Sequence, residues 1–96
     1  MFFEWDARKA IINIAKHNVS FIEAIAIFYD RDALDDRDVL HSTHESRRLR
    51  VGRAAAGRVL TVSYTSRRSG NGEAIRIISA RPANREEELG YTGVQD

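Results

Sequence analysis

Between residues 47 and 85 the chain carries ten arginines, no lysine and one acid, Glu73, a net of +9. Residues 1–46 are the reverse, with five Lys/Arg against nine Asp/Glu, a net of −4. The overall charge of +1 therefore conceals two stretches of opposite sign. Guanidinium groups suit bidentate phosphate contacts and stacking on bases. Breaking an RNA phosphodiester without a metal needs a base for the 2′-hydroxyl, an acid for the leaving 5′-oxygen, and cations where phosphorane charge develops. His17, Glu45 and Tyr64 supply the proton-transfer types, and Arg53, Arg67 and Arg81 the cations. Lys16, Arg50, Arg68, Arg76 and Arg85 are the candidates for holding the rest of a nucleotide backbone.

Plainer readings stand beside these. A basic stretch can simply be a sheet face kept solvated by charge. Tyr64 can be a core residue with its hydroxyl at the rim. His17 can be a cation at the end of a helix, where the backbone dipole favours it. Composition alone does not separate a ribonuclease from a module that binds RNA and leaves it intact.

Other chemistries find little support. The chain has no cysteine, which removes disulfides, thiolate metal sites and thiol nucleophiles. His41 and His44 stand at i, i+3 beside Glu45, but a closed zinc site needs four ligands with defined spacing. No metal or other cofactor is expected. Gly70-Asn71-Gly72 is a turn and not a phosphate loop, because no Lys-Ser/Thr follows it. No Gly-x-Ser-x-Gly elbow occurs. Apolar runs are too short to span a bilayer and Met1 to Asp6 is no signal peptide, so a cytoplasmic protein without a membrane partner is expected.

These residues need positioning. The 96 residues make one domain, with 91–96 expected as a loose tail. Phe2-Phe3-Glu4-Trp5 reads as an edge strand or a lid. Asp6 caps a helix from Ala7 to His17, and Asn18 suits its left-handed end. Ser20-Phe21-Ile22-Glu23 matches a capping box for a second helix to Tyr29, with Phe21, Ala24, Ile25 and Phe28 as its buried stripe. The short link predicts an antiparallel helix pair. Ala33-Leu34 allows a short strand. Arg48–Arg53, Arg58–Thr65 and Ala74–Arg81 alternate as strands, with a basic loop over Ser66–Gly72. In the last strand, strict alternation puts Ile75, Ile77, Ser79 and Arg81 on one face and Arg76, Ile78 and Ala80 on the other. Asn84 caps a final helix that Gly90-Tyr91-Thr92-Gly93 should break. Helices followed by a run of strands indicate α+β: two N-terminal helices on an antiparallel sheet of about four strands, then a C-terminal helix.

One resemblance covers about residues 3–91. Glu4-Trp5-Asp6, Lys9, Asn13, Lys16-His17-x-Val19-x-Phe21 with Glu23-Ala24 and Phe28, His44-Glu45-x-Arg47, Gly52-Arg53, Tyr64-Thr65 and Ile75-Arg76-Ile77-Ile78-Ser79-Ala80-Arg81 together resemble the BrnT family, toxins of type II toxin–antitoxin systems. The resemblance implies a RelE-like fold and metal-independent RNA cleavage that stops translation. It also implies a BrnA-type ribbon-helix-helix antitoxin as partner. Two toxins would sit on an antitoxin dimer, and the complex would bind its own operator DNA. Asn18 stands where the family usually has Gly, which costs little because Asn tolerates that conformation. The Ser66–Gly72 stretch departs from the family's shorter Glu-Arg-Gly loop, leaving Arg67 and Arg68 as alternatives for one role. Pro82 and Asn84 replace a common Lys and Thr, and the lost cation at 82 implies modestly weaker substrate affinity.

Overall fold

The computed structural model of the chain describes residues 1–41 and 46–93. Its elements are β1 (Phe2–Glu4), α1 (Ala7–His17), α2 (Phe21–Ile25) continued by a 3₁₀ turn (Ala26–Tyr29), β2 (Leu34–Arg37), a 3₁₀ turn (Val39–His41), β3 (Arg48–Arg53), β4 (Val59–Ser69), β5 (Gly72–Pro82) and α3 (Arg85–Thr92). The strands lie in the order β1-β5-β4-β3-β2. β1 runs parallel to β5, and the other neighbours are antiparallel. The architecture is α+β, with a mixed sheet of five strands where about four antiparallel ones were expected. The short acidic segment at Leu34 pairs fully with β3 and supplies the additional edge.

Caps set the helix ends. Asp6 Oδ1 accepts from the Arg8 and Lys9 N–H groups at 2.9 and 3.1 Å, and Asn18 closes α1 at φ 56°, ψ 37°. Ser20 accepts from Glu23 N–H at 3.0 Å, but the Glu23 carboxylate turns away to Arg58, so the expected box is half made. The two helical segments meet at 94°, not antiparallel. The second tightens into a 3₁₀ turn after Ile25, which rotates Ile27 fully into the core, while Ile25 and Phe28 pack at its margin. Phe21, Leu60, Val62, Ile75 and Ile77 complete the layer between helices and sheet.

α1 turns an amide, not its isoleucines, toward that core. Ile11 and Ile12 are 69% and 61% exposed, whereas Asn13 is 5% exposed. Asn13 Nδ2 donates to Val19 C=O at 2.8 Å and Ala80 C=O at 2.7 Å, and its Oδ1 accepts from Ala80 N–H at 3.1 Å. β1 pairs with β5 only at Ala74–Arg76, so Asn13 takes over the edge of β5 where β1 has ended. Gly52 permits another close approach: a Cβ there would stand 3.0 Å from Ile27 Cβ and 3.2 Å from Ala33 Cβ.

The open face departs most from simple alternation. β4 and β5 form one long hairpin, and the expected loop at Ser66–Gly72 is strand up to a turn at Gly70-Asn71. Gly72 takes φ +110°, a backbone conformation that favours glycine. A register shift at Ser63/Tyr64 gives β5 an extra residue, because Tyr64 pairs with Ile77 and Ser63 with Ser79. The bulge flips the alternation. Ile75, Ile77 and Ala80 face the core, while Arg76, Ser79 and Arg81 lie on the open face. α3 covers the other part of that face, near Leu34, Leu49 and Val51. It runs through Gly90 to Thr92 and ends at Gly93, φ 73°. Asn84 and Glu87 complete its capping box, and the same Glu87 carboxylate takes Arg81 at 2.7 and 2.9 Å.

Replacing Asn13 by Ala strands two buried carbonyls and one buried N–H, and should cost about 3 kcal/mol or more in urea denaturation. Asn13→Asp should be no milder, since a carboxylate cannot donate to those carbonyls. Burial pushes the Glu87 carboxyl up, but hydrogen bonds from Arg81 and the Asn84 backbone outweigh it and hold it below 4.5. A lowered folded value means stability present above 4.5 and lost as pH falls through the lowered value. Thermal melts of Glu87→Gln should therefore decline less steeply than wild type between about pH 5 and pH 3.

Candidate functional site

The strip of open face that α3 leaves uncovered runs along β4 and β5 and holds two hollows end to end. The first, about 320 Å³, has Ser63 and Ser79 in its floor and Arg47 and Arg81 at its sides. Asp38, Leu40 and His41, from the turn after β2, form its wall. The second, about 520 Å³, lies one register step further, over Thr65, between Arg67 and Arg76, with Glu4 and Ser46 at the rim. Arg81 pairs with Thr61, and Arg67 is six residues on along β4, a row of roughly 20 Å at strand rise. The row is long enough for a short run of nucleotides.

Its cations are held but reachable. Glu87 fixes Arg81 by two parallel hydrogen bonds and raises its pKa, so the guanidinium keeps its charge. Arg67 and Arg76 share Glu4, at 3.0 and 3.8 Å, and all three side chains are substantially exposed. Exposed pairs of this kind contribute little, so a phosphate can compete for both arginines. His41 Nδ1 stands 3.0 and 3.2 Å from the two carboxylate oxygens of Asp38.

Of the candidates read from the sequence, Arg67, Arg76 and Arg81 come together on this strip. The others lie elsewhere. Tyr64 is on the helix-covered face, packed edge-on against Phe28 at 4.9 Å, with its hydroxyl donating to Asp35. Burial first, then the Asp35 carboxylate, push its pKa up to about 12, so it stays protonated at neutral pH. Arg50 is on that face too. Its Nε donates to Ile27 C=O at 2.8 Å and its Nη1 to Asp35 at 3.2 Å, tying off the 3₁₀ turn. Arg53 is on the open face at the far end of β3, bonded to Gly57 C=O at 2.7 Å with its guanidinium 5.5 Å from the Tyr91 ring. Arg68 pairs opposite Glu73 and points away from Arg67. His17 and Lys16 end α1, behind the sheet, and Arg85 begins α3. Glu45 lies outside the described residues, as does His44.

Two residues join the strip that the sequence reading had not placed there. Arg47 shares the face of Leu49, a parity visible in the alternation of β3 but usable only once the open face is known. His41 was weighed only as a metal ligand; its spacing of three from Asp38 was the available signal. Among the described residues no group of three or more His, Asp or Glu is placed to hold a metal ion.

No curated protein matches the chain in sequence. Among solved structures, the fold is similar to that of the ribonuclease toxin BrnT from Brucella abortus, with a TM-score of 0.63 and 24% identity, covering 88% of this chain and 100% of that one. That likeness carries the fold. A sequence model describing the ribonuclease toxin BrnT of type II toxin–antitoxin systems matches residues 5–87. With nearly the whole chain spanned by that model, the protein belongs to the BrnT family of ribonuclease toxins of type II toxin–antitoxin systems.

Proposed function

We propose that this toxin cleaves RNA without a metal ion, along the β4–β5 strip, and stops translation by doing so. The observation that carries the reading is the bulged strand β5, which brings Arg76 and Arg81 onto one face with Arg67. Arg81, fixed in orientation by Glu87, is the cation at the reacting phosphate, where prepositioned charge lowers the barrier most. Arg67 and Arg76 hold a neighbouring phosphate. Ser63, Ser79 and Thr65 line the floor between them with hydroxyls able to donate or accept. Tyr64 acts from the other side of the sheet as a support, by holding Asp35 against Arg48 and Arg50.

The partner in this reading is a BrnA-type ribbon-helix-helix antitoxin, with two toxins on an antitoxin dimer that binds operator DNA. Family membership supports an antitoxin; its type and stoichiometry are part of the proposal. The site of action is the cytoplasm, and among the described residues no single helix is long and apolar enough to cross a membrane. The competing reading is a module that binds nucleic acid or antitoxin on the same strip and cleaves nothing.

Digestion of RNA by the purified toxin in excess EDTA separates the two readings. Cleavage should persist in EDTA, and a protein that cuts no RNA, with or without ribosomes, is the binding module. Arg81→Ala should slow cleavage by about 10²–10³-fold, with folding followed by circular dichroism. Arg76→Ala should chiefly weaken RNA binding and reduce the salt dependence of affinity by about one phosphate contact. Tyr64→Phe should lower stability by about 1–2 kcal/mol and leave RNA affinity unchanged.

A further inference from the structure

Cleavage that starts from a 2′-hydroxyl needs a base, a role that the arginines and hydroxyls of the strip do not fill. His41 sits at the end of the turn after β2, and its side chain is 64% exposed. Asp38, three residues earlier, is 7% exposed, and its backbone is anchored by Asp38 N–H donating to Arg47 C=O at 2.8 Å. Both oxygens of that fixed carboxylate stand within 3.2 Å of His41 Nδ1. A carboxylate only accepts hydrogen bonds, so Nδ1 carries the imidazole hydrogen and Nε2 presents its lone pair. A buried acid that selects the tautomer while the ring stays open to solvent is the arrangement by which histidine is made a general base. The ring borders the same hollow as Arg81, Ser63 and Ser79.

We infer that His41, oriented by Asp38, is the general base for the attacking 2′-hydroxyl at the Arg81 end of the strip. The inference rests on the ribonuclease reading above. His41 Nε2 takes the 2′-hydroxyl proton as the 2′-oxygen forms its bond to phosphorus. The P–O5′ bond breaks, and the leaving 5′-oxygen takes a proton from water. The products are a 2′,3′-cyclic phosphate and a 5′-hydroxyl, and the imidazolium later returns its proton to solvent. Arg81 faces the charge that gathers on the non-bridging oxygens. The charged groups facing His41 among the described residues are Asp38 on its own turn, Arg47 beside β3, and Arg81 on β5 with Glu87 of α3 behind it. The Asp38 carboxylate offsets the two guanidiniums and makes room for the imidazolium that forms.

The test is single-turnover cleavage in EDTA, over a pH series, of an oligoribonucleotide spanning a site that the wild type cuts. Binding of the same RNA is measured alongside by fluorescence anisotropy. His41→Gln should slow cleavage by about 10²–10⁴-fold with RNA affinity within twofold of wild type. It should also flatten the rise in rate with pH that the wild type shows. Asp38→Asn should slow cleavage less, by about 10–100-fold, and displace that rise along the pH axis; a merely structural role would leave the profile's shape alone. Added imidazole should restore part of the rate to His41→Ala, which keeps the test decisive if the glutamine variant folds poorly. His41→Gln cleaving within threefold of wild type with the same pH profile, or products ending in a 3′-hydroxyl, would overturn the assignment. If that variant stays active while Arg81→Ala is slow, the base is elsewhere and the ribonuclease reading stands. A wild type that cuts no RNA removes both.

Discussion

The side-chain amide of Asn13 joins α1 to the turn that follows it and to β5, 67 residues further along the chain. It holds the C=O of Val19, at the turn between the helical segments, and both backbone groups of Ala80 on β5. A buried strand edge with unpaired N–H and C=O groups is costly, and a helix cannot normally pair with it. Asn can, because one amide carries both a donor and an acceptor in the spacing of a peptide group. α1 is thereby set against β5 even though its isoleucines remain outside. The opposite face of that stretch of β5 carries Ser79 and Arg81. The position of the candidate site thus depends on a polar contact one strand-thickness away from it.

Internal pairing divides the positive charge of the C-terminal stretch into two populations. Asp35 takes Arg48 and Arg50, and Glu23 takes Arg58 with two hydrogen bonds of 2.6 and 2.7 Å. That hydrogen bonding lowers the Glu23 pKa and raises that of Arg58. Asp30 binds the Arg53 N–H and the Tyr91 hydroxyl, which links β3 to the end of α3. These acids come from the N-terminal stretch, so its net of −4 serves to fasten the basic sheet. The arginines of the β4–β5 strip are held differently. Arg67 and Arg76 share one exposed carboxylate, and Arg81 has a partner that also caps α3. A phosphate entering the strip meets guanidiniums that are oriented but not sealed in.

The bulge in β5 is the device that makes such a strip. Without it, Arg81 would share a face with Ile75 and Ile77, and its guanidinium would point into the helix-covered core. Burying an unpaired charge there is prohibitive. With one extra residue, both isoleucines stay inside and Arg76, Ser79 and Arg81 turn outward together. His41 reaches the same hollow from the turn after β2, at the opposite edge of the sheet. The strip therefore draws on β4 and β5, on Glu4 of β1 and Leu49 of β3, and on the turn after β2.

Local chemistry was readable from the residues themselves. Asp6, Asn18, Ser20 and Asn84 stop or start helices through contacts within a few positions, and all four do so. Leu60, Val62 and Tyr64 of β4 alternate onto the core face, because side-chain direction in a strand is a property of the backbone alone. The family's joint motif was legible for the same reason, as a set of residue types in order. What the sequence left open was anything set by a partner distant along the chain. Nothing in the helical spacing of α1 shows that Asn13 would find Ala80. Arg50 and Tyr64 looked like site residues until Asp35 arrived from another strand to bind them. Faces of β5 were misassigned because a bulge is decided by register against β4, a relation between two strands. Local hydrogen bonds and pleat are written into neighbouring residues; which arginines meet a substrate and which meet an acid is settled only when the two stretches of opposite charge are folded together.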